Sequence, residues 1–263
     1  MIDFCVSVTL VLTFAALAAA YATRVAARGV FHSSRADAAG QSVLLGRGLV
    51  AMAYWVASPI VRGLVGLGIT ANAITSATVA LSLTSAIALA EARFGIGAGL
   101  GTIAFACDAL DGLVARETNT ARPSGELFDA SADRCSEFLF LGALAIHFRD
   151  SAMLLALVLA ALFGAFMVSY GSARAAALGL VAPRGAMQRA ERAVYLTLGA
   201  GLVPLAARIT TRANFAELPL IAALALVAVI GNVSAVRRLI ATGHAADQRA
   251  DRRQYRPADE GSP

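Results

Sequence analysis

The stretch CDALDGLVARETNTARPSGELFDASADR, residues 107–134, places four aspartates beside long apolar runs. They are Asp108, Asp111, Asp129 and Asp133. The 263-residue chain is 58% hydrophobic and only 15% charged, and its mean hydropathy is +0.70. Soluble domains carry about 25% charged residues, so this composition indicates an integral membrane protein. A carboxylate at the centre of a spanning helix costs about 2.5–3.5 kcal/mol, so four of them together require partners that offset their charge.

Seven apolar runs reach the length of a membrane helix, about 20 residues, if polar ends are included. They cover residues 4–22, 71–90, 94–107, 138–148, 152–171, 193–207 and 218–236. The third and fourth runs reach full length only by including the aspartates. The first run has no basic segment before it, so we predict an anchor helix, with a cleaved signal peptide as the alternative.

These runs predict an all-α integral membrane protein, with a six-helix core bundle preceded by an interfacial amphipathic helix and an extra N-terminal transmembrane helix. Residues 42–67 are apolar but are interrupted by Arg47, Pro59 and Arg62, which is typical of a helix lying along the membrane surface. The predicted units are an anchor and connector at 1–41, the interfacial helix at 42–67, the core at 68–240 and a disordered cytoplasmic tail at 241–263.

The arginines predict which end of the bundle faces the cytoplasm. All 22 basic residues are arginine, and alternating helices place 17 of them on one side and four on the other. By the positive-inside rule the arginine-rich side is cytoplasmic, and the aspartates lie on that side. The net charge of +5 follows from this topology signal, so we expect the lipid bilayer, and no nucleic acid, as a partner. We predict a multi-pass protein of a bacterial inner membrane whose active site faces the cytoplasm.

Helical spacing brings the aspartates together in pairs. Asp108 and Asp111 are three residues apart and Asp129 and Asp133 are four apart, so each pair lies on one helix face. A proline and a glycine between the pairs allow the chain to reverse, which brings the two helix ends into contact. Hard divalent cations bind such oxygen ligands and commonly link carboxylates to substrate phosphates. We therefore predict two Mg²⁺ ions, with Mn²⁺ as the alternative metal.

The register of these residues resembles the signature of the CDP-alcohol phosphotransferase family, DxxDGxxARx8GxxxDxxxD. Every specified position is matched, by Asp108, Asp111, Gly112, Ala115, Arg116, Gly125, Asp129 and Asp133. The likeness extends over about residues 70–237. It implies a phospholipid biosynthesis enzyme that transfers the phosphatidyl group of CDP-diacylglycerol to an alcohol and releases CMP. Related enzymes also suggest a homodimer.

The resemblance implies a role for each carboxylate. Asp108, Asp111 and Asp129 would ligate the metals. Asp133 would contribute to the second metal and act as the general base on the acceptor hydroxyl, whose proton it must reach at about 3 Å.

The resemblance also implies a CDP-donor site. Its predicted residues are Asn72, Thr75, Gly112, Ala115, Arg116, Arg122 and Gly125. The first two belong to GITANAIT, residues 68–75, which is similar to the family's first core helix start but has Ala71 where proline is usual. The alternative for Asn72 is a helix cap, and for the two arginines it is an anchor at the membrane surface.

The stretch SYGSARAAALGLVAPRGAMQRAERAV, residues 169–194, indicates which kind of alcohol accepts the phosphatidyl group. It is similar to a segment of family members that use phosphorylated polyols, especially inositol phosphate. The predicted acceptor-binding residues are Arg174, Arg189 and Arg192, with Glu191 orienting one of them. Those relatives often carry lysine at the position of Ser172, so we expect an altered phosphate pocket. The alternatives are glycerol 3-phosphate as acceptor and, for the arginines, ordinary charges near lipid headgroups.

Two other classes of protein are the alternatives to an enzyme: an ion transporter and an inactive membrane scaffold. An ion transporter would distribute its acids through the membrane depth, whereas here all four gather at one end of two neighbouring helices. An inactive membrane scaffold would have little reason to keep all four. Both considerations favour the enzyme.

Overall fold

The computed structural model describes residues 1–31, 46–181, 185–210 and 213–254. Regular structure within these ranges is helical: α1 (Ile2–Arg28), α2 (Gly46–Gly66), α3 (Ala71–Ala90), α4 (Phe94–Glu117), α5 (Pro123–His147), α6 (Ala152–Ala177), α7 (Arg189–Ile209) and α8 (Leu218–Gln254), with a single turn at Ala213–Ala216. The predicted all-α fold is confirmed. Helices α3 to α8 are the six helices of the predicted core.

Seven of the described helices are long and apolar enough to cross a membrane, so the chain is a multi-pass integral membrane protein. Helix α2 is among the seven by length and composition, although its sequence predicts a surface position. Helix α5 is not among them, because five charged residues lie between positions 126 and 137. Its 25 residues are nevertheless enough to cross, as the sequence predicted once the aspartates were included.

The core of the bundle is built from buried side chains of all six core helices, α3 to α8. They include Leu89, Leu141, Val158, Leu220 and Leu224, which are fully buried.

Small residues let the helices approach closely, as is common between membrane helices. A Cβ atom at Gly164 of α6 would lie 2.8 Å from the Asn232 amide nitrogen of α8, which donates to Ala160 O at 2.8 Å.

Helix α1 packs along α4 and α7 and is bonded to the start of α4. The Asp3 carboxylate accepts a hydrogen bond from Ile96 N at 2.8 Å, where a helix start leaves backbone donors without helical partners. Near the other end of α1, Tyr21 packs with Met52 and Trp55 of α2. The anchor helix is therefore joined both to the core and to α2.

Helix α2 packs against the same ends of α3 and α4 that carry the candidate site. Val61 contacts a cluster formed by Ile74, Leu110, Leu113 and Val114. The apolar residues beside the α4 aspartates are therefore covered by α2. Residues 42–45 of the predicted interfacial segment lie outside the described residues.

The C-terminal segment differs from the predicted disordered tail at 241–263. Helix α8 continues without a break to Gln254, so that prediction is wrong for residues 241–254, and residues 255–263 lie outside the described residues. The extension is rich in alanine, arginine and glutamine, which favour helix. It also has a tertiary partner, because Arg249 Nη1 donates to Leu178 O at 2.9 Å and to Gly179 O at 2.8 Å.

Candidate active site

The chain reverses between α4 and α5, which brings the aspartate-bearing ends of the two helices together. Helix α4 ends at Glu117 and α5 begins at Pro123. Proline suits the first helical turn because its fixed φ is preorganised and its missing N–H has no helical acceptor there. The reversal predicted from the proline and glycine is confirmed.

Three carboxylates meet at this point. One oxygen from each of Asp108, Asp111 and Asp129 lies within 4.8 Å of the other two. Asp111 is buried, and its Oδ2 accepts a hydrogen bond from Thr75 Oγ1 at 2.7 Å. The Asp108 Oδ1 atom is buried and has no hydrogen-bond partner among the described residues. A buried carboxylate oxygen without a partner is costly, and three converging oxygen donors fit a hard divalent cation.

Asp133 lies beside this three-carboxylate group and is joined to it through an arginine. Arg189 Nη1 contacts Asp108 Oδ2 and lies 2.8 Å from Asp133 Oδ1. Arg134 Nη2 lies 3.5 Å from Asp133 Oδ2. The structure thus brings three of the four predicted metal ligands into one group, and places the fourth next to it.

A cavity of about 610 Å³ opens beside Asp133, between α5, α6, α7 and α8. It is lined by Ala130, Asp133, Arg134, Phe166, Val168, Ser169, Tyr170, Ser172, Ala173, Gln188, Arg189, Arg192 and Arg238. Four arginines and one acid among these described residues give the cavity an excess of positive charge. Such a cavity attracts an anionic ligand to the side of Asp133.

The three predicted acceptor arginines differ in their placement. Arg189 and Arg192 line the cavity, whereas Arg174 is exposed and is not among the lining residues. Arg192 is fully buried, with Nε donating to Glu137 Oε1 at 2.6 Å and Nη1 donating to Met187 O at 2.7 Å. These partners fix its guanidinium in the cavity wall, as a buried charge requires.

The start of α7 holds the two cavity arginines in place. Gln188 N donates to Glu191 Oε2 at 2.8 Å, and the Gln188 side chain accepts from the Glu191 backbone, which forms a capping box. Glu191 was predicted to orient one of the arginines. In the structure it secures the first turn of α7, the turn that carries Arg189 and Arg192.

The predicted donor-site residues of α3 and α5 lie near the carboxylates and are not among the residues that line the cavity. Thr75, which donates to the buried Asp111, lies one turn from Asn72. A Cβ atom added at Gly125 would lie 3.9 Å from Asn72 Oδ1, so α3 and the start of α5 are close together here. Helix α3 is capped by Thr70, whose Oγ1 accepts from Ala73 N at 3.3 Å. The helix-cap alternative for Asn72 is therefore wrong, and its side chain is available for another role.

The predicted donor-site residues at the end of α4 and in the loop are more exposed. Arg116 and Arg122 are exposed, and Ala115 is half-buried. The Arg116 side chain folds back along α4, and a Cβ atom at Gly112 would lie 3.2 Å from its Nη2. The glycine therefore leaves room for this guanidinium beside the carboxylates.

Three charged residues at the site were not among the predicted site residues: Arg134, Glu137 and Arg238. Glu137 follows Asp133 by four positions, so helical spacing alone places both on one face of α5. Arg238 belongs to α8 and donates to Ser172 Oγ of α6, 66 positions away. No local pattern predicts that Arg238 belongs to the site. It is one of two arginines that follow an apolar run, and such arginines indicate the cytoplasmic side of the membrane.

Fold and site together define a multi-pass helical membrane protein with a carboxylate metal site and a positively charged cavity at one end of the bundle. A profile described as CDP-alcohol phosphatidyltransferase matches residues 68–233. The chain belongs to the CDP-alcohol phosphatidyltransferase family, and it is an enzyme of that class. The resemblance drawn from the aspartate motif is confirmed. Helices α1 and α2 precede the matched region.

Curated relatives include phosphatidylinositol phosphate synthases. That of Mycobacterium tuberculosis is 35% identical over 156 residues, which cover 56% of this chain and 70% of the relative. That of Mycolicibacterium smegmatis is 31% identical over 151 residues, covering 56% and 68%. A bifunctional IPC transferase and DIPP synthase of Rubrobacter xylanophilus is 34% identical over 167 residues, covering 62% of this chain and 34% of that protein.

Solved structures of the M. tuberculosis phosphatidylinositol phosphate synthase PgsA1 share the fold. The complex with manganese and citrate has a TM-score of 0.61 and 27% identity, covering 71% of this chain and 88% of the other. The structure with CDP-DAG bound has a TM-score of 0.60 and 27% identity, covering 71% and 93%. The manganese in the PgsA1 complex and the group of three aspartates in this chain both support a divalent-metal site.

Proposed function

We propose that this protein transfers the phosphatidyl group of CDP-diacylglycerol to a phosphorylated polyol, inositol phosphate, and releases CMP. The observation that carries this proposal is the cavity whose wall combines Asp133 with Arg189, Arg192 and Arg238. An alcohol acceptor needs a base at its hydroxyl, and an acceptor phosphate needs cations at a distance from that base. The names of the M. tuberculosis and M. smegmatis relatives support the same acceptor.

The acceptor phosphate would bind the guanidinium groups of the cavity. Arginine matches phosphate oxygens with paired, charge-assisted hydrogen bonds, which favours it over lysine for this task. Arg189 reaches from the carboxylates into the cavity, and Arg192 is held in its wall. Arg174, at the exposed end of α6, stays a predicted contributor to acceptor binding.

The CDP group would occupy the side of the carboxylates formed by α3 and the α4–α5 connection. The residues assigned to it are Asn72, Thr75, Gly112, Ala115, Arg116, Arg122 and Gly125. Two observations support this assignment: the Asn72 amide lies beside Gly125, and the Arg116 guanidinium lies over Gly112. The PgsA1 structure with CDP-DAG bound supports the donor class.

The proposed metals are two Mg²⁺ ions, with Mn²⁺ able to replace them. Asp108, Asp111 and Asp129 would hold them, and Asp133 would contribute to the second. When bound, the ions would offset the charge of the donor diphosphate and of the departing CMP. Thr75 fixes the buried Asp111 carboxylate, and fixed outer partners of this kind keep ligand oxygens in place.

Asp133 is the proposed general base. It is the carboxylate of the four that lines the cavity, so an acceptor hydroxyl in the cavity can approach it. As the proton moves to Asp133, the acceptor oxygen bonds to the phosphorus that carries diacylglycerol. The bond from that phosphorus to the CMP oxygen breaks. A base positioned in this way contributes about 10²- to 10⁴-fold to the rate.

The proposed location is a bacterial inner membrane, with the site facing the cytoplasm. The support is the distribution of arginines, 17 on the aspartate side against four on the other. With this orientation α2 lies along the inner surface, where it covers the ends of α3 and α4. A homodimer remains a prediction from related enzymes.

The test is CMP release by purified protein in lipid nanodiscs with CDP-diacylglycerol and Mg²⁺. The acceptors are inositol phosphate, glycerol 3-phosphate, inositol, serine and choline, each at several concentrations. We expect release with phosphorylated acceptors, fastest with inositol phosphate, and none after metal removal with EDTA. Glycerol 3-phosphate shares the phosphate and is the second candidate, which this panel separates. Release with inositol or serine at the rate of inositol phosphate would refute the proposed acceptor.

A further inference from the structure

Ser172 lies in the cavity wall on α6, and its hydroxyl group is fixed by two hydrogen bonds. Ser172 Oγ donates to Val168 O at 3.0 Å and accepts from Arg238 Nη1. A hydroxyl has one proton to donate, so the bond to the carbonyl leaves the oxygen lone pairs directed towards Arg238. The serine therefore acts as a hydrogen-bond acceptor for the arginine.

Arg238 is held in the cavity wall without an acidic partner among the described ion pairs. It is 9% exposed, and its Nε atom is buried with no hydrogen-bond partner among the described residues. Arg192 lines the same cavity, so two buried cations face one space. A buried guanidinium is costly without an anion, and the arrangement favours a ligand that brings one.

We propose that Ser172 is a positioning residue that holds the Arg238 guanidinium in the orientation that receives the acceptor phosphate. The proposal rests on the proposed function, because it assigns a phosphorylated acceptor to the cavity. Arginine has a long side chain that loses rotamer freedom on binding, and a fixed acceptor at Nη1 reduces that loss before the ligand arrives. A neutral hydroxyl does so without neutralising the charge that attracts the phosphate.

The test compares steady-state kinetics of the wild type with Ser172→Ala, Ser172→Thr, Arg238→Gln and the double variant Ser172→Ala/Arg238→Gln. The Ala variant should raise the KM for inositol phosphate about five- to tenfold, which is within the range for the net contribution of one typical hydrogen bond. Its kcat and its KM for CDP-diacylglycerol should not change. The Thr variant keeps the hydroxyl and should restore the acceptor KM. If Ser172 acts through Arg238, removing the hydroxyl should add nothing in the Arg238→Gln background.

Ser58→Ala is the matched control. Ser58 Oγ makes the same kind of bond to the backbone of its own helix, to Tyr54 O at 2.7 Å, but Ser58 does not line the cavity. Its acceptor KM should equal that of the wild type. If Ser172→Ala fails to fold, Ser172→Cys replaces it, because sulfur accepts hydrogen bonds weakly and should also raise the acceptor KM.

The outcomes separate the two proposals. A wild type that uses no phosphorylated acceptor overturns the proposed function, and the inference falls with it. A wild type that uses inositol phosphate, together with an unchanged acceptor KM in Ser172→Ala, overturns the inference alone. Additive effects in the double variant overturn it as well, since Ser172 would then act independently of Arg238.

Discussion

Replacing Arg189 by glutamine should tighten metal binding while it weakens use of the acceptor. Nη1 of Arg189 contacts Asp108 and lies 2.8 Å from an oxygen of Asp133. A guanidinium and a divalent ion compete for the same carboxylate oxygens and also repel each other. The uncharged amide of glutamine removes both effects and keeps a polar side chain of similar shape at the start of α7.

The size of the effect follows from the charges at the site. Two unit charges 4 Å apart interact by ~4 kcal/mol at an effective dielectric constant of ~20. The Arg189 side chain is 23% exposed, so solvent screens part of this interaction. If solvent leaves about a third of this repulsion, its removal is worth ~1.3 kcal/mol, or about tenfold tighter metal binding.

The assay is a Mn²⁺ titration of protein in nanodiscs, with free Mn²⁺ measured by electron paramagnetic resonance. The same preparations supply kcat/KM for inositol phosphate, which should fall at least about 100-fold because a charge-assisted phosphate contact is lost. Arg208→Gln is the matched control. It removes the same charge from the far end of α7, where Arg208 stacks on the Phe4 ring at 4.9 Å. Metal affinity in Arg189→Gln equal to or weaker than that of the wild type would contradict the competition.

Three further predictions concern the base, the buried ligand and the packing of the bundle. Asp133→Asn should lower single-turnover CMP release by about 10²- to 10⁴-fold with an unchanged Tm, and near-normal turnover would exclude it as the base. Thr75→Val removes the hydroxyl that bonds the buried aspartate at 2.7 Å and should weaken Mn²⁺ binding about tenfold in the same titration. An unchanged Mn²⁺ affinity would show that the hydroxyl does not support a metal ligand. Gly164→Ala should lower the Tm in detergent by an amount that corresponds to about 1–3 kcal/mol, because its Cβ would lie 3.0 Å from the Asn232 backbone nitrogen. Gly142→Ala, which meets nothing within 4 Å, is its control, and equal Tm values would disprove the tight packing.

The local parts of the fold and site were predictable because they depend on neighbours in sequence. Helical spacing placed Asp108 with Asp111, and Asp129 with Asp133. The proline and glycine between the two pairs predicted the chain reversal that precedes α5. The tail was mispredicted because its charges resemble those of a disordered segment, whereas the bonds of Arg249 to the end of α6 depend on tertiary structure.

The arrangement of the cavity was not predictable, because its contacts join residues far apart in sequence. Glu137 pairs with Arg192 across 55 positions and Arg238 reaches Ser172 across 66. A charged residue near the end of an apolar run has the same local pattern whether it faces lipid headgroups or a cavity. Only the packing of α6, α7 and α8 distinguishes the two, and it directed Arg238 inwards while leaving Arg174 exposed.

The sequence by itself determined that this is a helical membrane protein with paired carboxylates for a divalent metal, since hydropathy and helical period are properties of neighbouring residues within one helix. Tertiary structure alone decided which carboxylates converge, that Asp133 lines the cavity, and which arginines face it. The physical reason is that metal and phosphate binding depend on distances of a few ångströms between side chains on different helices. Those distances are set by how the helices pack against one another.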